Sequence, residues 1–245
     1  MKGTALPHIT QTSPNFGQRL AHKTVSLLLL HYTGMSDAQK SLDWLCNEAS
    51  EVSCHYLVDE EGRIVQMVGE DKRAWHAGVS SWGDEKDINS VSIGIEIQNP
   101  GHTLDYHDFP TVQMEKVAGL CHDIATRNHI KHRNILAHSD VAPGRKIDPG
   151  EKFDWKFLHS KGVGHWVEPE PLSGGSFLQL GDQGDAVLAL QGMLKLYGYG
   201  LEVDSIFGPH TRIVVEAFQR HFRQARVDGI ADQSTVITLH RLLRN

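Results

Sequence analysis

The run VSLLLLH, residues 25–31, constrains this chain more than any other stretch. Its apolar part, Val25 to Leu30 with Ser26 inside it, is too short to span a bilayer, and it reads as a buried strand ending at His31. A second run, SIGIEIQ at residues 92–98, alternates cleanly. It places Ile93, Ile95 and Ile97 on one face of a strand and leaves Gly94, Glu96 and Gln98 on the other. HYLVDEEGRIVQMV, from His55 to Val68, reads as a hairpin around an acidic, glycine-containing turn. Helical patterns lie between these strands. Ser36 to Gln39, SDAQ, has the form of a capping box and opens a helix carrying Leu42, Leu45 and Ala49. Thr111 to Asn128 sets Val117, Leu120, Cys121 and Ile124 on one stripe, which predicts a helix packed on the sheet. Strands alternating with helices make the first part of the chain an α/β domain.

The composition excludes several classes of function. A formal charge of -6 gives no general pull towards nucleic acid or anionic lipid. The most basic stretch, RHFRQAR with Arg220, Arg223 and Arg226, reads as one solvated helix face. Three cysteines, with no C-x-x-C among them, make neither a disulfide framework nor a cysteine zinc knuckle, and Cys46 with Cys54 is the bridge left open. The chain as written begins with no signal-peptide layout, so export by another route, or loss of a leader, stays open.

EPEPLSGGS, residues 168–176, mixes Pro, Gly and Ser without period and reads as a linker. It separates a first domain, residues 1–167, from a small helical domain, residues 177–245. The second domain contains an internal echo: VDSIFGPHT from Val203 returns as VDGIADQST from Val227. Each copy reads as a turn followed by a capped helix start, so the module is built from two similar halves.

Among sixteen histidines, position singles out two. His31 and His138 each follow an apolar strand-like run, and functional groups of open α/β sheets collect outside the carboxyl ends of strands. His138 opens AHSDVAPGRKIDPG, where Pro143-Gly144 turns the chain and Asp148 precedes a proline. Two imidazoles and a carboxylate make a three-ligand zinc site with its fourth position open to water. Zinc lowers the pKa of bound water towards ~7. Glu96 then becomes a candidate proton carrier and Lys146 a candidate stabiliser of a developing oxyanion, which predicts hydrolysis of an amide or ester. The alternative for these two residues is an ordinary Glu96–Lys146 ion pair.

LLLLHYTG, SCHYLVDEEG, RAWHAGVSSW, INSVSIGIEIQNPG and AHSDVAPGRKIDPG, in this order, resemble the zinc-dependent N-acetylmuramoyl-L-alanine amidases of the AmpD and AmiD type. The resemblance runs from about His31 to Trp155. It implies a mixed central sheet flanked by helices, the fold shared with peptidoglycan recognition proteins. It also implies one zinc per chain on His31, His138 and Asp148, with Glu96 and Lys146 as the catalytic pair. The reaction implied is cleavage of the amide between the lactyl group of N-acetylmuramic acid, or its anhydro form, and L-alanine. By the same resemblance Trp75, His76, Ala77, Asn89 and His55 are candidates for lining the substrate cleft. Core packing or ordinary loop and strand positions are the competing readings for these five.

The tail resembles the bacterial peptidoglycan-binding domain, a three-helix module, through Gly181-Asp182, Gly184, Leu190-Gln191, Gly198-Tyr199, Asp204, Phe207-Gly208, Thr211 and Phe218-Gln219. Ser205 departs from the pattern, standing where that family usually has glycine. A structural or oligomerisation module is the alternative for this tail. For the whole chain the rival is a non-catalytic peptidoglycan recognition protein, against which all three ligand positions and the lysine are filled. The wall-binding tail points to the periplasm or cell envelope, and the absent signal points to the cytoplasm. The implied partner is peptidoglycan or a muropeptide, with no nucleic acid and no transmembrane segment; oligomeric state is not set.

Overall fold

The computed structural model describes residues 1–245. Its strands are β1 (Ile9–Thr10), β2 (Phe16–Gln18), β3 (Leu27–Tyr32), β4 (Tyr56–Val58), β5 (Ile64–Gln66), β6 (Lys72–Ala74), β7 (Ser92–Ile97) and β8 (Ile135–Ala137). Its helices are α1 (Ala38–Leu45), α2 (Ile88–Val91), α3 (Thr111–Asn128), α4 (His138–Val141) and α5 (Trp155–Ser160), followed by α6 (Asp185–Tyr197), α7 (Pro209–Phe222) and α8 (Gln233–Arg244). Six strands form a mixed sheet in the order β1-β5-β4-β7-β3-β8, and β2 pairs with β6 in a separate ribbon. Strands β4, β7, β3 and β8 run parallel, while β4 and β5 form the antiparallel hairpin expected from the sequence.

The apolar pattern of β3 is explained by what covers it. Leu28 and Leu30 join Ile93, Ile95 and Ile97 in a core closed by the α3 stripe of Val117, Leu120, Cys121 and Ile124. Leu27 and Leu29 point the other way, into a second core. A strand buried on both faces reads as a continuous apolar run, as parallel strands do. No helix is long and apolar enough to cross a membrane.

Two local readings need correction. The helix after Ser36 is capped one residue later, by Asp37, whose Oδ1 accepts the Lys40 N–H at 2.9 Å, while Ser36 Oγ turns to the Asp37 carboxylate. Both residues are good caps, and an anion suits the positive end of a helix better than a hydroxyl does. That helix stops at Leu45, so Ala49 lies beyond it in an exposed 3₁₀ turn. The open Cys46–Cys54 bridge does not form: Cys46 Sγ reaches the Gln11 carbonyl, and Cys54 is buried against the β7 backbone.

The sequence echo in the tail is a repeated polar latch. Gln191 Nε2 donates to Asp204 Oδ1, the Ile206 carbonyl and Thr211 Oγ1, and Gln191 Oε1 accepts from the amides of Asp204 and Ser205. Gln219 repeats the set with Asp228, Ile230, Thr235 and the amides of Asp228 and Gly229. Ser205 takes φ +63°, matching the +73° of Gly229 at the equivalent turn. The turn therefore survives the departure from glycine, at the steric cost an L-residue carries in the left-handed region. Ser205→Gly is expected to raise stability by about 0.5–1 kcal/mol, read as a higher urea midpoint with an unchanged slope. A lower midpoint would show that the Ser205 hydroxyl outweighs the backbone strain.

The basic stretch at the end of α7 and just beyond it is not a plain solvated face. Arg223 is 1% exposed and bonds Thr235 and Asp232, Arg220 approaches Glu151 at 3.6 Å, and only Arg226 stands largely in solvent. Acidic partners brought in by the second half of the repeat and by the first domain account for the burial.

Residues 168–176 carry no regular structure, yet the helices beyond them do not swing free. Leu27, Leu29, Trp82, Val91, Leu136 and Val141 of the first domain share one apolar core with Leu190, Tyr199, Val214 and Phe218 of the tail. Gln224 Nε2 donates to the Phe153 carbonyl at 2.7 Å, and the Arg133 guanidinium lies 4.9 Å over the Tyr197 ring. The helical module is docked on the second face of the sheet.

Candidate active site

Strand register brings the candidate residues to one end of the sheet. His31 on β3 pairs with Glu96 on β7, and Leu30 pairs with Ala137, the residue before His138. The three side chains thus leave the carboxyl ends of adjacent parallel strands, where such folds gather their functional groups. The loop after α4 returns Asp148 to the same place, with the Ser139 N–H donating to the Asp148 carbonyl at 3.1 Å.

His31 Nδ1 lies 2.9 Å from His138 Nδ1, and Asp148 Oδ2 lies 3.2 and 3.0 Å from the two. Hydrogen bonds behind the rings decide which atoms carry protons. Ser92 Oγ donates to the Ile88 carbonyl at 2.7 Å, so it accepts from His76 Nε2 at 3.2 Å. His76 Nδ1 is then an acceptor and takes the proton of His31 Nε2 at 3.0 Å. His138 Nε2 donates to the Ala77 carbonyl at 3.0 Å. In that tautomer both rings turn an Nδ1 lone pair towards the Asp148 carboxylate, an arrangement that calls for a cation among the three atoms; in its absence a proton shared between Nδ1 and Oδ2 fills the place. A tetrahedral ion with bonds of about 2.0–2.1 Å spaces its ligands by roughly 3.3 Å, close to the spacings seen. Burial and the neighbouring His138 lower the His31 pKa to about 4, so the ring is neutral and free to ligate. Burial alone would raise the Asp148 carboxyl, but His138 and His31 hold it well below the usual carboxylate range.

A second set, His31, Cys54 and His76, also brings donor atoms together. The two ring nitrogens facing each other there are already joined by a hydrogen bond, and burial pushes the Cys54 thiol well up, keeping it protonated. The set with the free lone pairs is the one fitted to a metal.

Glu96 stands beside this cluster with Oε2 buried and without a hydrogen-bond partner. Burial, and then the Asp148 charge, push its pKa well above the ordinary glutamate value against the pull of Lys146. Lys146 is half-buried and makes no ion pair with Glu96, which removes the ordinary ion-pair alternative. Both side chains are left available to a third party.

The five cleft candidates fall in different places. Trp75 is partly exposed. His76 is the ring behind His31, and Gly94 makes room for it, since a Cβ there would lie 2.6 Å from His76 Nδ1. The Ala77 carbonyl supports His138, and Asn89 Oδ1 accepts the amides of His76 and Ala77 at 3.1 and 2.8 Å. His55 is fully buried and accepts the Gly94 N–H at 3.0 Å. Sequence reasoning missed Ser92 and Arg145, the latter donating to the Ala77 and Val79 carbonyls over the same loop. A polar groove of about 940 Å³ at the seam between the two parts contains none of the cluster, so chemistry rather than cavity size locates the site.

Known proteins carry the same arrangement of parts. Residues 183–239 match the peptidoglycan binding domain family. The chain is 34% identical over 238 residues to the N-acetylmuramoyl-L-alanine amidase AmiD of Escherichia coli K12, covering 91% of this chain and 84% of that protein. The structure of E. coli AmiD with the substrate anhydro-N-acetylmuramic acid-L-Ala-D-gamma-Glu-L-Lys matches with a TM-score of 0.77 at 35% identity, over 93% of this chain and 92% of that one. AmpDh3 of Pseudomonas aeruginosa, in complex with anhydromuramic pentapeptide, matches with a TM-score of 0.73 at 30% identity, over 94% and 93% of the two chains. The first domain itself, over residues 21–151, fits the model built for N-acetylmuramoyl-L-alanine amidases, and the chain belongs to that family.

Proposed function

We propose that this chain is a zinc-dependent hydrolase of the amide joining N-acetylmuramic acid, or its anhydro form, to L-alanine in peptidoglycan or muropeptides. The observation that carries the reading is the convergence of three ligand-type atoms, two imidazole Nδ1 and one carboxylate oxygen, on one point, with the unpartnered Glu96 carboxyl alongside. His31, His138 and Asp148 would hold the ion, with His76 and the Ala77 carbonyl fixing the two rings from behind. When bound, zinc supplies Lewis acidity towards water and carbonyl oxygen. Glu96, acting as the carboxylate, takes the proton of the attacking water, becomes the neutral acid that burial favours, and returns the proton to the departing alanine amine. Lys146 offers its ammonium to the charge that develops on the lactyl carbonyl oxygen, where a site shielded from water makes it most effective. Trp75, the one partly exposed member of the five candidates, borders the cleft, while His55, His76, Ala77 and Asn89 serve from the interior. Two relatives bound to anhydro-muramyl peptides support the choice of substrate class. We divide the chain into a catalytic part, residues 1–167, a connector, residues 168–176, and a wall-binding module, residues 177–245.

Mass spectrometry of muropeptides and of purified sacculi, with and without a chelator, tests this. Zinc-restored release of stem peptides bearing a free L-alanine amine is the expected result. No release after zinc is returned would make the chain a recognition protein of the same fold.

A further inference from the structure

Asp140 stands two residues after the ligand His138, on the turn α4, and its carboxylate is wholly buried. Three donors satisfy it. The Ala137 N–H reaches Oδ2 at 2.8 Å, the reach-back that closes the first turn and fixes the backbone on which His138 is mounted. The other two come from the helical module: His221 Nδ1 donates to Oδ2 at 2.6 Å and the Tyr199 hydroxyl to Oδ1 at 2.7 Å. No lysine or arginine comes within ion-pair distance of it. His221 is itself held rigidly, its ring 3.7 Å from those of both Trp155 and Phe222. Beyond Asp140 the same turn is pressed by the module again, Val141 entering the shared core and Ile213 lying against Gly144 of the ligand loop.

A buried carboxylate without its donors is costly enough to rearrange the segment that carries it. We propose that Tyr199 and His221 are positioning residues for the metal centre: the helical module is a structural part of the active site, holding His138 in place through Asp140. This role rests on the zinc reading of the His31, His138 and Asp148 cluster. It assigns the module a duty separate from any binding of cell wall.

The test is zinc affinity of the full-length chain, by competition with a chromophoric chelator, together with kcat and KM on a muropeptide. Tyr199→Phe removes only an O–H, His221→Leu removes a donor and keeps bulk, and His221→Asn returns an N–H near the position of Nδ1. Leu239→Ala, in the module core and away from Asp140, calibrates general loosening. Tyr199→Phe and His221→Leu are expected to weaken zinc binding by about 10-fold, the scale of outer-shell changes, and to lower kcat with KM unchanged; His221→Asn restores most of both. Wild-type zinc affinity in folded Tyr199→Phe and His221→Leu would overturn the proposal, as would an equal loss in Leu239→Ala. Should His221→Leu fail to fold, Tyr199→Phe alone decides. Failure of the unsubstituted chain to bind zinc would instead bring down the metal reading, and this inference with it.

Discussion

Asp148→Ala is expected to lose its zinc during gel filtration and to show no muropeptide hydrolysis above background. Asp148 is the one anionic donor of the three, and it is buried with both imidazoles. Two neutral ring nitrogens cannot replace the charge that makes a buried dication acceptable, and catalytic zinc sites use three protein ligands. The loss of affinity should exceed the ~100-fold that removal of an outer-shell partner costs. The metal-free protein should lose some stability at neutral pH as well, because the two rings that hold the Asp148 carboxyl below its usual range lose their partner. Metal content by emission spectroscopy, the product assay and a thermal melt of the apoprotein check the three parts. Normal zinc content with full turnover would exclude Asp148 as a ligand.

Glu96→Gln is expected to lower kcat by about 10³-fold, within the range of general acid–base catalysis, while zinc content stays unchanged. The amide has the size of the carboxyl and the charge state that burial already favours for Glu96, so the fold has no reason to respond. What it lacks is the ability to take a proton from water and pass it to the leaving amine. Turnover kinetics with parallel metal analysis separate the outcomes. Zinc loss would turn Glu96 into a ligand, and an unchanged kcat would remove it from the chemistry.

How much of the fold and site is legible in the sequence depends on the range of the forces involved. β3 declares itself as an unbroken apolar run, and β7 and α3 because a two- or 3.6-residue period is a local property; α3 spans the residues its stripe marks, Thr111 to Asn128. His31 and His138 are legible as residues ending apolar runs. The cap of α1 falls one residue from its expected place because Ser36 and Asp37 are both competent caps and only the backbone chooses. The cleft candidates are harder, since a motif says that His76 and Asn89 matter without saying on which side of a ligand they stand. Ser92 and Asp140 carry no signal, for their meaning lies in partners such as His221, 81 residues further along the chain from Asp140. The shared core is hidden for a similar reason. An apolar face on a short helix looks the same whether it packs within a three-helix module or across a seam, and Val214 and Phe218 belong to a core that spans both.

The docking of the helical module also changes what the connector is for. When a linker alone sets the distance between two domains, its length is under selection, because reach and effective concentration depend on it. Here the relative placement is held by the seam, and residues 172–177 lie exposed on the way between parts whose positions are already decided. Lengthening such a segment costs only about 0.6 kcal/mol per doubling. Insertions and deletions should therefore drift through this stretch in descendants of the chain, while α7, whose residues pack on both parts of the chain within the shared core, stays the slowest part of the tail to change.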